Sequence, residues 1–190
     1  MAILPIVTYD DPVLQTKAEP IEENSEELQQ LIQDMFDTMY NAEGVGLAAP
    51  QIGKPLRLFV MDADPMTEDD EDQGNFGQMT FINPEITWKS DEVDEYEEGC
   101  LSIPEIRENV RRPVKITISY YDQDFNEKKL TVDQMVARVI QHELDHLNGV
   151  LFIDHLGSFR KRLLKSKLRQ IAEGKVSAAY PLRSPESTAT

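Results

Sequence analysis

Two histidines four residues apart, with a glutamate directly after the first, are the residues of this sequence best suited to chemistry: His142-Glu143-Leu144-Asp145-His146. On a helix, positions i and i+4 share one face about one turn apart. Two imidazoles placed this way can grip one metal ion, and the glutamate beside them can act as a base toward water. The competing reading is a helix with two surface histidines in ordinary side-chain pairs. The motif lies in an apolar stretch just before a helix-ending glycine, Gly149, which favours burial near a core.

A catalytic metal of this kind ordinarily takes a third protein ligand. The metallopeptidase pattern HExxHxxGxxH fits as far as Gly149, but Phe152 stands where the third histidine would be. A second class takes a glutamate from a following helix, and only Glu173 and Glu186 come later. His155, the one other histidine, is no better placed by spacing. The remaining soft donor is Cys100, in Glu98-Gly99-Cys100-Leu101-Ser102. A lone cysteine is more often a small buried apolar residue than a ligand. Here Gly99 precedes it with an unhindered backbone that a metal or substrate could approach. The weak strand tendency nearby reads as a loop rim.

The elements that must position these groups fit in one domain. A chain of 190 residues buries one sizeable core, and 40% hydrophobic content suits a globular protein. No apolar run approaches the ~18 residues of a membrane span. The N-terminus lacks a basic region followed by an apolar core, so no signal peptide is expected. One cysteine excludes an internal disulfide and fits a reducing compartment. A formal net charge of −16 disfavours non-specific nucleic-acid binding. Acidic stretches at 62–72 and 91–98 read as solvated surface. The run 160–169 is the reverse, with six cations (Arg160, Lys161, Arg162, Lys165, Lys167, Arg169) and no anion.

Along the chain, Leu28, Leu31, Ile32, Met35, Phe36 and Met39 recur at helical spacing after a cap at Asn24 or Ser25. The stretch 44–53 holds three glycines and a proline and suits a backbone that turns close to something. Strands are expected at 56–61, 80–82, 86–88 and 114–121, with 128–130 pairing back as a hairpin. A mobile surface loop is expected at 62–78. Thr131 with Gln134 reads as a capping box for the HExxH helix, and Leu130 with Met135 as its staple. A last helix runs from about 157 to 172, with Leu163, Leu164 and Leu168 packed inward and its cations outward. The predicted fold class is α+β, with mostly antiparallel strands around a central HExxH-bearing helix flanked by an N-terminal and a C-terminal helix. Residues 1–174 form the single domain and 175–190 a flexible tail.

Three separated segments resemble the signature motifs of the peptide deformylase family, and in the family's order. They are Gly44-Val45-Gly46-Leu47-Ala48-Ala49-Pro50-Gln51, Glu98-Gly99-Cys100-Leu101-Ser102 and Gln141-His142-Glu143-Leu144-Asp145-His146. With the segments between them the resemblance spans about residues 5–172. It implies hydrolysis of the N-formyl group from the initiator methionine of nascent polypeptides, releasing formate. It implies Cys100, His142 and His146 as ligands to Fe²⁺, with Zn²⁺, Ni²⁺ or Co²⁺ able to substitute. Glu143 becomes the general base, and the Gln51 amide and Leu101 N–H hold the developing oxyanion. Gly44, Val45 and Gly46 would pair with the substrate as an added strand. Gly99 and Arg107 would line its cleft. The resemblance also implies a cytoplasmic, ribosome-associated enzyme that docks through its basic C-terminal helix. Asp145 and Gln141 are candidates to orient the ligands from behind.

Two other readings compete. One is an HExxH metallopeptidase cutting internal peptide bonds, against which Phe152 and the lack of a well-placed later glutamate argue. The other is a metal-free acidic module attached to the translation machinery. Metal content after anaerobic purification separates the second from any enzyme. The same measurement tests the third ligand. Cys100→Ser should lose the metal that the parent retains, and deformylation with it. Parent-level metal in that variant would place the third ligand elsewhere.

Overall fold

The computed structural model describes residues 2–67 and 75–185. In chain order the elements are β1 (Ile6–Val7), α1 (Glu26–Asn41), β2 (Gly46–Ala48), β3 (Leu58–Met61), α2 (Asp64–Thr67), β4 (Met79–Lys89), β5 (Val93–Cys100), β6 (Ile103–Pro113), β7 (Lys115–Tyr121), β8 (Glu127–Asp133), α3 (Gln134–Leu147), α4 (Ser158–Ala172) and β9 (Leu182–Arg183). Strands β2-β3-β4-β7-β8 form a five-stranded antiparallel sheet with β2 at one edge. A long antiparallel hairpin, β5-β6, stands apart from it, and β1 pairs with β9 in parallel. The architecture is the expected α+β arrangement of mostly antiparallel strands around the HExxH helix, α3.

Helix α3 is central because one face of it is apolar and packs on the large sheet, while its other buried positions carry polar groups. Val136, Ala137, Ile140, Leu144 and Leu147 are buried with Phe59, Phe81, Ile116 and Ile118 of the large sheet. Behind the hairpin, Ile103, Ile106 and Val110 join Phe152, Ile153 and Leu164 in a second cluster. Each large aliphatic side chain so buried contributes ~1.5–3 kcal/mol. That is the favourable term against which the charged groups of the site must be set. The helix ends as its sequence predicts. Asn148 is the C-cap, and Gly149 follows at φ +74°. A Cβ at Gly149 would also lie 2.9 Å from the Gln15 carbonyl, so the position needs glycine for shape as well as for conformation.

Helix α1 starts where its cap predicts: the Ser25 hydroxyl accepts from the Leu28 N–H at 3.1 Å. The start of α3 differs from the reading. Thr131 lies within β8, where its hydroxyl bonds that of Thr117 across the strands at 2.9 Å. The N-cap is Asp133, and Met135 lines a cleft in place of stapling Leu130. The two short strands expected around Asn83-Pro84 are one, β4, continuous through a bulge. Asn83 takes φ +49° there. Its side chain accepts from the Ile21 N–H (2.8 Å) and donates to the Ile21 carbonyl (2.7 Å). This local anchoring is what admits a proline to a central strand.

The acidic stretch 91–98 is solvated surface as expected through Glu97, but Glu98 is buried. Most of it is β5, and Cys100 is that strand's last residue, so the expected loop rim is a hairpin tip. Strand β6 was not expected at all. Two of its inward positions carry charge, Glu108 and Arg112, which hides the alternation. Of the expected loop at 62–78, α2 occupies 64–67, and the Asp64 carboxylate accepts from the N–H groups of Phe76 (2.9 Å) and Gly77 (2.8 Å). Its portion at 68–74 lies outside the described residues.

In α4, Leu164 and Ile171 are buried, whereas Leu163 and Phe159 are exposed. The cations do not all face outward unpaired. Arg160 pairs with buried Glu108 on β6 (Nε to Oε2 3.0 Å), and Arg169 with Glu173. Beyond Gly174 the chain is tied down as far as residue 185, since β9 pairs with β1. The rest of the expected tail, 186–190, lies outside the described residues.

Candidate active site

Strand β5 and helix α3 bring the chemical groups together. Sγ of Cys100 lies 3.4 Å from Nε2 of His146, and the His142 and His146 ring centroids are 5.1 Å apart. One donor atom from each of Cys100, His142 and His146 falls within 4.8 Å of the others. A sulfur with two imidazoles is a donor set that first-row divalent ions accept. Nδ1–H of His142 donates to Oε1 of Glu98 at 2.9 Å, which leaves Nε2 as its available lone pair. Glu143 and His146 are both buried, and Oε2 of the one and Nδ1 of the other have no hydrogen-bond partner among the described residues. The residues therefore fit a metal ion.

Glu98 is the centre of a charged network. Its carboxylate accepts from Arg112 (Nε 2.7 Å, Nη2 2.9 Å) and from Arg138 (Nη1 2.7 Å), as well as from His142. Arg112 continues to Asp145 (2.8 Å), which also bonds His155 at 2.8 Å. Arg138 reaches the Val110 carbonyl (2.9 Å) and pairs with Asp94. Burial alone would raise the pKa of Glu98. The hydrogen bonds from His142 and Arg112 outweigh it and hold the carboxyl well below the usual range. For His142, burial works against the charged ring, but hydrogen bonds with Cys100 and Glu98 push its pKa up to about 10, so an ion that binds at Nε2 must displace a proton. Burial, and then the charge on His142, drives His146 the other way, so this ring stays neutral. Burial raises Glu143 to about 7, against the pull of His142. A carboxylate poised there suits proton transfer at neutral pH.

The remaining predicted residues gather around a cleft of about 570 Å³. Gln51 is fully buried and is no solvent-facing loop residue. Its Oε1 accepts from the Ala48 N–H (2.9 Å), and its Nε2 lies 3.5 Å from Cys100 Sγ and 3.3 Å from Ser102 Oγ. Gly44, Val45 and Gly46 run along one wall at the edge of the large sheet. A Cβ on Gly46 would lie 2.4 Å from Oε1 of Glu143, so only glycine lets this strand pass so close to the base. Leu101, Gly99 and Arg107 line the cleft too, with Arg107 paired to Glu97 at 2.7 Å. Met135, Val139 and Ile106 add apolar surface that was not anticipated, and Met66 brings the start of the acidic segment to the rim. Gln141 serves structure, donating to the carbonyls of Pro113 (2.9 Å) and Ala137 (3.1 Å).

Comparison with known proteins agrees with this geometry. The sequence profile of the polypeptide deformylase family matches residues 3–162. This chain belongs to the peptide deformylase family. The peptide deformylase of Salinibacter ruber is 51% identical over 183 residues, 95% of this chain and 94% of that protein. That of Christiangramia forsetii is 48% identical, covering 97% of each. Among solved structures, a peptide deformylase from Legionella pneumophila superposes with a TM-score of 0.80 at 40% identity, over 92% of this chain and 98% of that one. One from Ehrlichia chaffeensis, in complex with actinonin, gives 0.83 at 34% identity over 93% and 100%. The activity is the metal-dependent removal of the N-formyl group from the N-terminal methionine of nascent polypeptides, and the internal-peptidase and non-enzymatic readings fall away.

The network around Glu98 was overlooked in the sequence, though one signal was present. Arg138 sits between Ala137 and Val139 in an apolar helix, and a charge there demands a buried partner. Glu98→Gln should therefore be severe, because it removes the charge that two buried guanidiniums share, leaving Arg112 with Asp145 alone and Arg138 with the half-exposed Asp94. A loss of ~3–5 kcal/mol is expected from thermal or denaturant unfolding. The pH dependence follows from a folded-state pKa below the ordinary 4.5. The stabilisation is complete above 4.5 and is lost as pH falls through the folded value. The stability gap between parent and variant should thus be widest at neutral pH and shrink in acid. A gap that is constant with pH would mean that Glu98 is not charged in the folded protein.

Proposed function

We propose that Cys100, His142 and His146 hold the catalytic ion, that Glu143 is the general base, and that Gln51 and Leu101 stabilise the oxyanion. The observation that carries this reading is the convergence of one sulfur and two imidazoles beside a buried carboxylate whose pKa is about 7. A divalent ion there would supply Lewis-acid activation of water, lowering its pKa from 15.7 toward ~7. We assign Fe²⁺ to this role, with Zn²⁺, Ni²⁺ or Co²⁺ as substitutes that the same donors accept.

The rest of the chemistry falls to the chain's own residues. Because β2 is the edge strand of its sheet, Gly46 and the residues leading into it, Gly44 and Val45, can receive an extended peptide as an added strand. Arg107 and Gly99 stand on the opposite hairpin, where they can bind the same peptide. The methionine side chain would contact Met135, Val139 and Ile106. As water adds to the formyl carbon, the amide N–H of Gln51 and the backbone N–H of Leu101 can donate to the oxygen that gains charge. One such donor is typically worth ~10²–10³ in rate. Glu143 takes the proton from the water and delivers it to the leaving nitrogen. The C–N bond breaks, giving formate and a free amino terminus.

Glu143→Ala separates binding from catalysis. It should keep its metal, because the carboxylate is not a ligand, and lose ~10²–10⁴ in turnover of a formyl-methionyl peptide. Full activity would remove Glu143 from the mechanism.

We further infer that the enzyme works in the cytoplasm and docks at the ribosome through α4. Exposed Lys161, Arg162, Lys165 and Lys167 support this, because no carboxylate among the described residues pairs with them. Phosphate contacts of this kind weaken steeply with salt. Replacing these four with Gln, and leaving Arg160 to its fold contact with Glu108, should abolish salt-sensitive co-sedimentation with ribosomes. Hydrolysis of a short formyl peptide should be unaffected. An unchanged salt slope would reduce the run to plain surface.

A further inference from the structure

The family match stops at residue 162, yet the chain goes on to reach the catalytic cleft. Residues 177–180 lie along its wall. Beyond them β9 joins β1: the Ile6 N–H donates to the Pro181 carbonyl at 2.9 Å, and the Thr8 N–H to the Arg183 carbonyl at 3.0 Å.

This segment touches the supports of both proposed oxyanion donors. The Tyr180 hydroxyl donates to the Leu101 carbonyl at 2.9 Å, and its ring packs in the same apolar cluster as Leu101, Ile52 and Ile6. The Arg183 guanidinium lies against Gly53, where a Cβ would come within 2.7 Å of Nη2. Gly53 caps the short 3-10 turn, Ala49–Ile52, that carries Gln51. Just beyond β1, the Tyr9 N–H donates to the Ser102 carbonyl at 3.0 Å. The hairpin tip is thus held at two successive carbonyls. It needs holding, since the β5-β6 register shifts between Gly99 and Cys100.

We propose that residues 177–184 form a strap that sets the oxyanion donors, with Tyr180 as a positioning residue that holds the Leu101 carbonyl and so the orientation of the adjoining Leu101 N–H. The proposal rests on the oxyanion roles given above to Gln51 and Leu101. Donors of this kind work by being fixed before charge develops, and a displacement of ~1 Å can cost ~10²-fold in rate. Their bond to the reacting oxygen strengthens in the transition state. Loosening them therefore lowers kcat and spares KM. A purely structural Tyr180 would instead lower the folded or metal-loaded fraction.

Tyr180→Phe keeps the ring and removes only the hydroxyl. In the full-length, metal-loaded enzyme, kcat for a short formyl-methionyl peptide should fall on the order of 10–100-fold. KM, metal content and melting temperature should stay near those of the parent. Amide hydrogen exchange in a fragment spanning residues 99–103, read by mass spectrometry, should quicken. Unchanged kcat and exchange would overturn the proposal. So would a loss of activity matched by an equal loss of folded or metal-loaded protein. Gln51→Ala, measured alongside, tests the underlying assignment. If it leaves kcat intact, the oxyanion roles themselves fail. If it is impaired while Tyr180→Phe is not, the strap alone is refuted.

Discussion

The Glu98 carboxylate is only 6% exposed, yet it keeps its negative charge. An isolated carboxylate could not do so at that depth, because the loss of hydration would force it to take up a proton. Two guanidiniums and an imidazole replace the lost water, and they come from two parts of the fold. Arg112 is on β6, while Arg138 and His142 are on α3, one turn apart. The ion cluster thereby joins the two-stranded hairpin to the central helix, and it does so beside the proposed metal ligands. Glu98 and Cys100 are two apart on β5, and each reaches a histidine of α3, Glu98 to His142 at 2.9 Å and Cys100 to His146 at 3.4 Å. One short stretch of strand presents both a proposed ligand and the group that holds another.

The distribution of charge follows from this arrangement. The chain is strongly acidic overall, but the groups nearest the site are balanced pair by pair. Arg112 lies between Glu98 and Asp145, and Arg138 between Glu98 and Asp94. Glu143 stands outside these pairs. Its neighbours across the cleft are the small residues of β2, and this isolation from donors leaves its carboxylate to be raised by burial. The same closeness of Gly46 to Glu143 brings the sheet edge and the proposed base into one narrow space. In the proposed mechanism, a substrate amide laid along β2 is thereby carried past that base.

Much of this was legible in the residues. The HExxH spacing located two donors, elimination among the later residues pointed to Cys100, and the three motifs together named the family. Helix α1 and the end of α3 followed from periodicity, Ser25 and Gly149. What escaped notice has a common physical cause. Strand β6 and the inner face of β5 bury charge in pairs, so a pattern of apolar alternation does not register them. The start of α3 was misjudged because Thr131 has two uses for its hydroxyl, a cap or a cross-strand bond, and tertiary pairing with Thr117 decided it. Asn83-Pro84 read as a break because its repair comes from Ile21, 62 positions away.

The parallel pairing of β1 with β9 also sets a limit on when this molecule can be finished. Ile6 and Leu182 lie side by side although 176 positions separate them in the chain (182 minus 6). Contacts this distant are formed late, since the closure of a long loop must be met before they return any stabilisation. Synthesis imposes the same order, because β9 is added 176 positions after β1 and the earlier strand waits for it. An enzyme that trims other chains as they emerge thus holds one of its own early strands with a segment made much later.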